Sequence, residues 1–182
     1  MILSDATIKH YLSMGQIQLF PEVDPANICP AGIRLHLGKE LLIPVAGQTV
    51  DLDAEDDIQF DRVSISEEGF ILRPGQFVLG TTYEKFQVAR NLVCHVEGRS
   101  TVARIGLAIH CTSGIIDGNF EEPRTVVLEM SNHGSFDIVL RYRAPLAMLS
   151  FSQLTTEIEQ CAQKRYLGQD GVVAPNFKIQ KI

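Results

Sequence analysis

Residues 92–118 read Leu-Val-Cys-His-Val-Glu-Gly-Arg-Ser-Thr-Val-Ala-Arg-Ile-Gly-Leu-Ala-Ile-His-Cys-Thr-Ser-Gly-Ile-Ile-Asp-Gly. Leu92, Cys94 and Val96 alternate with their neighbours, which is the period of a strand with one buried face. Gly98, Gly106, Gly114 and Asp117-Gly118 then punctuate the chain at short intervals, as turns do. The same reading extends outward on both sides. Ile33, Leu35 and Leu37 alternate with Arg34 and His36, and Val127 and Glu129 alternate with Leu128 and Met130. Ile138 and Leu140 continue the series, followed by Leu146 to Phe151. Further turns fall at Pro74-Gly75 and Asn132-His133-Gly134. Many short strands with no helices between them predict an all-β sandwich, jelly roll or barrel rather than βαβ units.

Helical signals are confined to the ends. Ser4 is a suitable N-cap, Ile8, Tyr11 and Leu12 fall on one face, and Gly15 supplies a stop. A weaker pattern covers roughly Thr155 to Lys164. The acidic stretch Asp51 to Asp57 reads as a solvated loop. Tyr166 to Pro175 is rich in turn residues and is expected to be mobile without a ligand or partner, which makes residues 160–182 a candidate lid.

A chain of 182 residues is expected to form one domain spanning 1–182. Its 45% hydrophobic and 21% charged residues predict a folded globule rather than a disordered chain. The formal net charge of -6 argues against a nucleic-acid backbone as partner, since that requires a broad basic surface. The absence of Trp leaves few platforms for stacking on single strands. The N-terminus lacks the basic and apolar regions of a secretory signal, and no apolar run is long enough for a membrane span. Cys29, Cys94, Cys111 and Cys161 are scattered, with no C-x-x-C pair, so reduced thiols and a soluble cytoplasmic protein are expected.

Elimination narrows the chemistry. The chain has no phosphate-binding G-x-x-x-x-G-K-[ST] loop, no G-x-G-x-x-G, no G-x-S-x-G and no H-E-x-x-H. The zinc deaminase signature, H-x-E with a later P-C-x-x-C, is absent as well. The stretch Glu97-Gly-Arg99-Ser100-Thr-Val-Ala-Arg104 remains. There, a glycine turn could form an anion-binding nest, and two arginines and a hydroxyl offer donors suited to phosphate. Surface salt bridges would explain the two arginines equally well. Asp117 lies at a glycine-bounded strand end, where it is either a turn former or a ligand-facing carboxylate. Glu129 stands alone in an apolar strand, so it must be paired, exposed or kept for chemistry. Desolvation would lift its pKa toward neutrality and suit it to general acid–base work.

The order of these pieces resembles the dCTP deaminase family of the trimeric dUTPase superfamily over nearly the whole chain. Ile2-Leu-Ser-Asp5 with Ile8 is similar to that family's N-terminal helix. Pro30-Ala-Gly-Ile-Arg-Leu-His-Leu-Gly38 is similar to its Pro-Ala-Ser-x-Asp-Leu-Arg-Leu-Gly, and Leu72-Arg-Pro-Gly-Gln-Phe-Val-Leu-Gly-Thr-Thr82 to its Pro-Gly strand. Glu97 to Leu107 resembles its phosphate-binding Glu-Gly-Arg-Ser-Ser-x-Ala-Arg-x-Gly-Leu. Leu128-Glu129 matches the position of its catalytic glutamate, and Tyr166 through Gln169 to Gly171 looks like its nucleotide-covering tail.

The resemblance implies a distorted jelly roll with short N- and C-terminal helices, assembled as a homotrimer with sites between subunits. It implies a dCTP deaminase that forms dUTP and ammonia without zinc, with Mg²⁺ carried by the triphosphate and no metal ligands from the protein. Glu129, Ser100 and Arg104 would be catalytic. Arg99, Ser100, Arg104, Asp117, Arg165, Tyr166 and Gln169 would bind the nucleotide, and dTTP would act as an inhibitor.

Departures from the family pattern keep alternatives open. Gly114-Ile115 replaces a His-Arg pair before Ile116-Asp117, which looks more like dUTPases and deaminases that also release pyrophosphate. Phe120-Glu-Glu-Pro-Arg124 is longer than the family's Phe-x-Gly turn. Arg34 replaces an Asp, and Arg141-Tyr-Arg-Ala and Ala147-Met148 replace late-strand motifs. The alternatives are therefore a bifunctional enzyme or dUTPase that yields dUMP, and a silent nucleotide-binding regulator.

Overall fold

The structure, a computed structural model, describes residues 1–52, 58–117, 122–159, 166 and 169–177. Two five-stranded antiparallel sheets face each other across the main core. The first runs in the order Leu107–Ala108, Val127–Asn132, Phe77–Thr81, Glu40–Pro44, Phe60–Ser64. The second runs Ile115–Asp117, Leu92–Gly98, Pro145–Gln153, Gly32–His36, Ile28–Cys29. Two ribbons, Ile17–Phe20 with Lys85–Val88 and Phe70–Leu72 with Ile138–Leu140, complete the distorted jelly roll.

The alternation read from the sequence is the alternation of burial. Leu92, Cys94 and Val96 point inward from the second sheet, and Leu128 and Met130 meet them from the first. Ile33, Leu35, Phe86 and Phe151 are fully buried in the same core. Each such side chain contributes about 1.5–3 kcal/mol through removal of apolar surface from water. The run Leu146 to Phe151 does not alternate strictly, because the register against Gly32–His36 shifts between Pro145 and Ala147. Leu146 and Ala147 are consequently both buried, as a bulge allows.

The N-terminal helix spans Asp5–Ser13 and buries Ile8 completely, with Tyr11 and Leu12 packed on the same core. Ser4 has the extended backbone of an N-cap but makes no capping bond to the helix. The stop is stronger. Gly15 takes φ +70°, its N–H bonds to Leu12 O at 3.1 Å, and the Gln16 N–H bonds to Tyr11 O at 2.9 Å. This left-handed closure satisfies carbonyls that the helix leaves open and favours glycine.

The expected C-terminal helix is not seen where it is described. Thr155 to Glu159 is irregular, and residues 160–164 lie outside the described residues. The second short helix is instead Ser100–Ala103, at the end of the Leu92–Gly98 strand. It closes through Gly106, at φ +81°, where an added Cβ would lie 2.5 Å from Gly134 N. Among the described residues, no helix is long and apolar enough to cross a membrane.

Candidate functional site

Strand Val127–Asn132 sends Leu128, Met130 and Asn132 into the core, so Val127, Glu129 and Ser131 face the other side. Glu129 lies opposite Leu79 on the neighbouring strand, on the outer face of the first sheet. That face is the floor of a cavity of about 600 Å³. Its walls are mostly apolar, including Phe60, Phe77, Leu79 and Ile115, with Asp117, Glu129 and Arg124 as charged groups. Desolvation by these walls is the main reason the Glu129 carboxyl titrates above its ordinary value. The Cys111 N–H, 3.4 Å from Oε2, and the nearby His110 partly oppose that rise. The Cys111 thiol is itself pushed up, by burial first and then by the Glu129 charge. A carboxyl in such surroundings can take a proton from one group and hand it to another.

Asp117 ends the edge strand Ile115–Asp117, where it pairs with Val93, and it stands exposed at the cavity rim. Tyr166 and Gln169 line the same cavity, together with Val173, Ala174 and Pro175. The tail reaches it because Val172, 1% exposed, packs with Leu42 and Leu79 on the outer face of the sheet. Arg62 binds the Val172 carbonyl at 3.1 Å, and Lys85 pairs with Asp170 at 2.9 Å.

One residue of this site escaped the sequence reading. Arg124 lines the cavity and donates from Nη1 to the Tyr166 carbonyl at 3.3 Å. Burial lowers its pKa, and the Asp117 carboxylate acts in the opposite direction. The available signal was its place at the end of the lengthened Phe120–Arg124 segment, just before the strand of Glu129.

The structure therefore brings Glu129, Asp117, Tyr166 and Gln169 together but sets the arginine-rich turn apart. Arg99 occupies the N-cap position of the short helix without a side-chain capping bond, and its Nη1 donates to Pro145 O at 2.8 Å. Ser100 and Arg104 are exposed, and neither they nor Arg99 line the cavity of the protomer. Arg165 lies outside the described residues. Among the described residues, no three His, Cys, Asp or Glu side chains gather to hold a metal ion. A metal that arrives with phosphate oxygens as its ligands needs no such cluster.

Comparison with known families settles the relationship. Residues 2–154 match the family model described as dCTP deaminase-like. The chain belongs to that family. The matched segment of this dCTP deaminase-like chain holds Glu129, Asp117 and the Arg99–Arg104 turn, and it ends before Tyr166 and Gln169. The tail is covered by individual relatives instead. A dCTP deaminase of Haloarcula marismortui is 37% identical over 99% of this chain and 95% of its own length. A dUMP-forming dCTP deaminase of Dictyoglomus thermophilum is 35% identical over 98% of this chain and 96% of its own. Among solved structures, the 2'-deoxycytidine 5'-triphosphate deaminase of Agrobacterium tumefaciens superposes with a TM-score of 0.63 at 18% identity. The match covers 82% of this chain and 47% of that longer one, so this chain spans about half its length. That likeness establishes the shared fold.

Proposed function

We propose that the chain catalyses the hydrolytic deamination of dCTP to dUTP and ammonia, a step toward dTTP precursors. The observation that carries this reading is Glu129, a carboxyl with raised pKa on the floor of a largely apolar cavity. In this reading a water molecule adds its oxygen to C4 of the cytosine ring while Glu129 takes its proton. Glu129 delivers that proton to N3 and then carries the proton of the new C4 hydroxyl to the amino group, leaving C4=O. The C4–N bond breaks, and ammonia leaves with uracil formed. A positioned acid–base of this kind contributes about 10²–10⁴ in rate.

Ser100 and Arg104 would steady the water and the charge that develops at C4, and Arg99 would hold phosphate. Their distance from the cavity of one protomer supports a homotrimer in which a neighbouring subunit supplies them. Tyr166 and Gln169 would cover the nucleotide and exclude other water, with Arg165 as a further phosphate partner. Mg²⁺ would enter on the triphosphate, where it neutralises phosphate charge. dTTP inhibition and a cytoplasmic location belong to the same reading.

A second reading is favoured by Asp117. Its exposed carboxylate at the cavity rim, beside Arg124, suits a deaminase that continues to dUMP, with Asp117 contacting the sugar and ordering water for attack on the α-phosphate. The test is turnover of dCTP and, separately, of dUTP with product identification. Ammonia from dCTP that is lost in Glu129→Gln supports the deaminase, and pyrophosphate from either nucleotide supports the dUMP-forming reading. Ammonia release at an undiminished rate in Glu129→Gln overturns the assignment. Nucleotide binding without turnover in the wild type assigns the chain as a regulator instead.

A further inference from the structure

Arg124 and Thr125 stand side by side at the entrance to the strand that carries Glu129, and each holds a different point of the C-terminal tail. Arg124 Nη1 donates to the Tyr166 carbonyl at 3.3 Å. That carbonyl also accepts the Gln169 N–H at 3.3 Å, so the arginine engages the same oxygen that closes the tail's turn. The hydroxyl of buried Thr125 accepts the Gly171 N–H at 3.2 Å and lies 3.4 Å from the Gly171 oxygen, to which it donates. A hydroxyl can serve both roles at once.

The base of this arrangement is rigid. The Arg124 N–H and carbonyl both pair with Phe86, at 3.1 and 3.0 Å, and Phe86 is fully buried. The half-buried guanidinium shares the cavity lining with Asp117, whose carboxylate charge acts on it. Among the described residues of the tail, only Val172 is buried among apolar neighbours; Val173, Ala174 and Pro175 lie partly buried or exposed at the cavity wall. Directional bonds from fixed points therefore help set where the tail lies, with Arg124 and Thr125 at the cavity alongside Arg62 on the Val172 carbonyl and Lys85 on Asp170.

We propose that Arg124 and Thr125 form a two-point clamp that seats the tail on the cavity, with Arg124 as a positioning residue that links the tail to Asp117. The consequence for turnover rests on the deaminase reading; the seating of the tail does not.

Hydrogen exchange of the full chain, followed by mass spectrometry, tests the clamp in Arg124→Gln, Arg124→Lys and Thr125→Val. In Arg124→Gln and Thr125→Val, residues 169–177 are expected to exchange about 3- to 10-fold faster, while strands 92–98 and 145–153 keep wild-type rates. Arg124→Lys, which keeps the charge and one donor, should recover much of the protection. With dCTP as substrate, Arg124→Gln should raise KM more than it lowers kcat. Unchanged exchange in both variants overturns the clamp, as does acceleration throughout the chain that Arg124→Lys does not correct. Faster tail exchange with an unaltered KM overturns the positioning role. A wild-type chain that turns over neither dCTP nor dUTP refutes the deaminase reading and leaves the exchange result to decide the clamp.

Discussion

The backbone N–H of Cys111 reaches the Oε2 of Glu129 across 3.4 Å, joining the loop before the cavity's edge strand to the strand that forms its floor. The contact matters because it opposes the main influence on that carboxyl. Burial favours the neutral acid, whereas an N–H donor favours the carboxylate. Glu129 is held between these effects, with burial the stronger.

The first prediction concerns stability. A carboxyl whose folded-state pKa is raised binds its proton more tightly in the folded than in the unfolded chain, so stability falls as pH rises through that pKa. Glu129→Gln places a neutral amide where the anion is penalised. Its melting temperature should exceed that of the wild type at neutral pH, with the difference shrinking as the pH falls toward the ordinary glutamate value. Melts at two pH values check this; a gain that grows toward acid pH would contradict it.

The pH dependence of turnover should report the same group. With Glu129 as the base, the acid limb of kcat/KM for dCTP should lie above the ordinary glutamate range. His110 lowers the Glu129 pKa, so His110→Gln should move that limb to higher pH. A limb that stays in place separates His110 from Glu129.

Subunit sharing gives a third prediction. If Glu129 and Arg104 from different protomers build one site, Glu129→Gln and Arg104→Ala should each be inactive. Trimers refolded from an equal mixture should then regain about a quarter of wild-type sites. No recovery in verified mixed trimers would place both residues in the same protomer's site.

The tail anchor can be tested at Val172. Truncation in Val172→Ala removes two methyl groups from contact with Leu42 and Leu79, a loss of roughly 1–2 kcal/mol. The loss should fall on the tail rather than on the sandwich. Limited proteolysis after residue 169 should quicken while the denaturant midpoint of the whole chain changes little.

Phe151 provides the contrasting case. It is fully buried between the sheets, so Phe151→Ala should cost about 3–5 kcal/mol of global stability. A large drop in the urea midpoint is the expected result.

The sequence by itself determined the central strands around Ile33, Leu92, Val127, Ile138 and Leu146, the N-terminal helix and its glycine stop, and Glu129 as the odd carboxyl in an apolar strand, but not strands such as Ile17–Phe20, Glu40–Pro44 and Lys85–Val88. The legible features are written in nearest-neighbour spacing: period two for a half-buried strand, three to four for a helix face, and a left-handed residue for a stop. The bulge between Pro145 and Ala147 was not legible, because register depends on the partner strand. Only the tertiary structure decided which groups share a cavity. Thr125 and Gly171 are separated by 46 positions yet bonded twice, and Glu129, Asp117 and Tyr166 converge from three separate stretches of chain. The family resemblance implied that the Arg99–Arg104 turn and Glu129 serve one site between subunits, and on the protomer the turn does not line the cavity of Glu129. The reason is physical. Alternation tells a residue which face of its own strand it occupies, but which surfaces then meet depends on how two twisted sheets and a tail pack against one another.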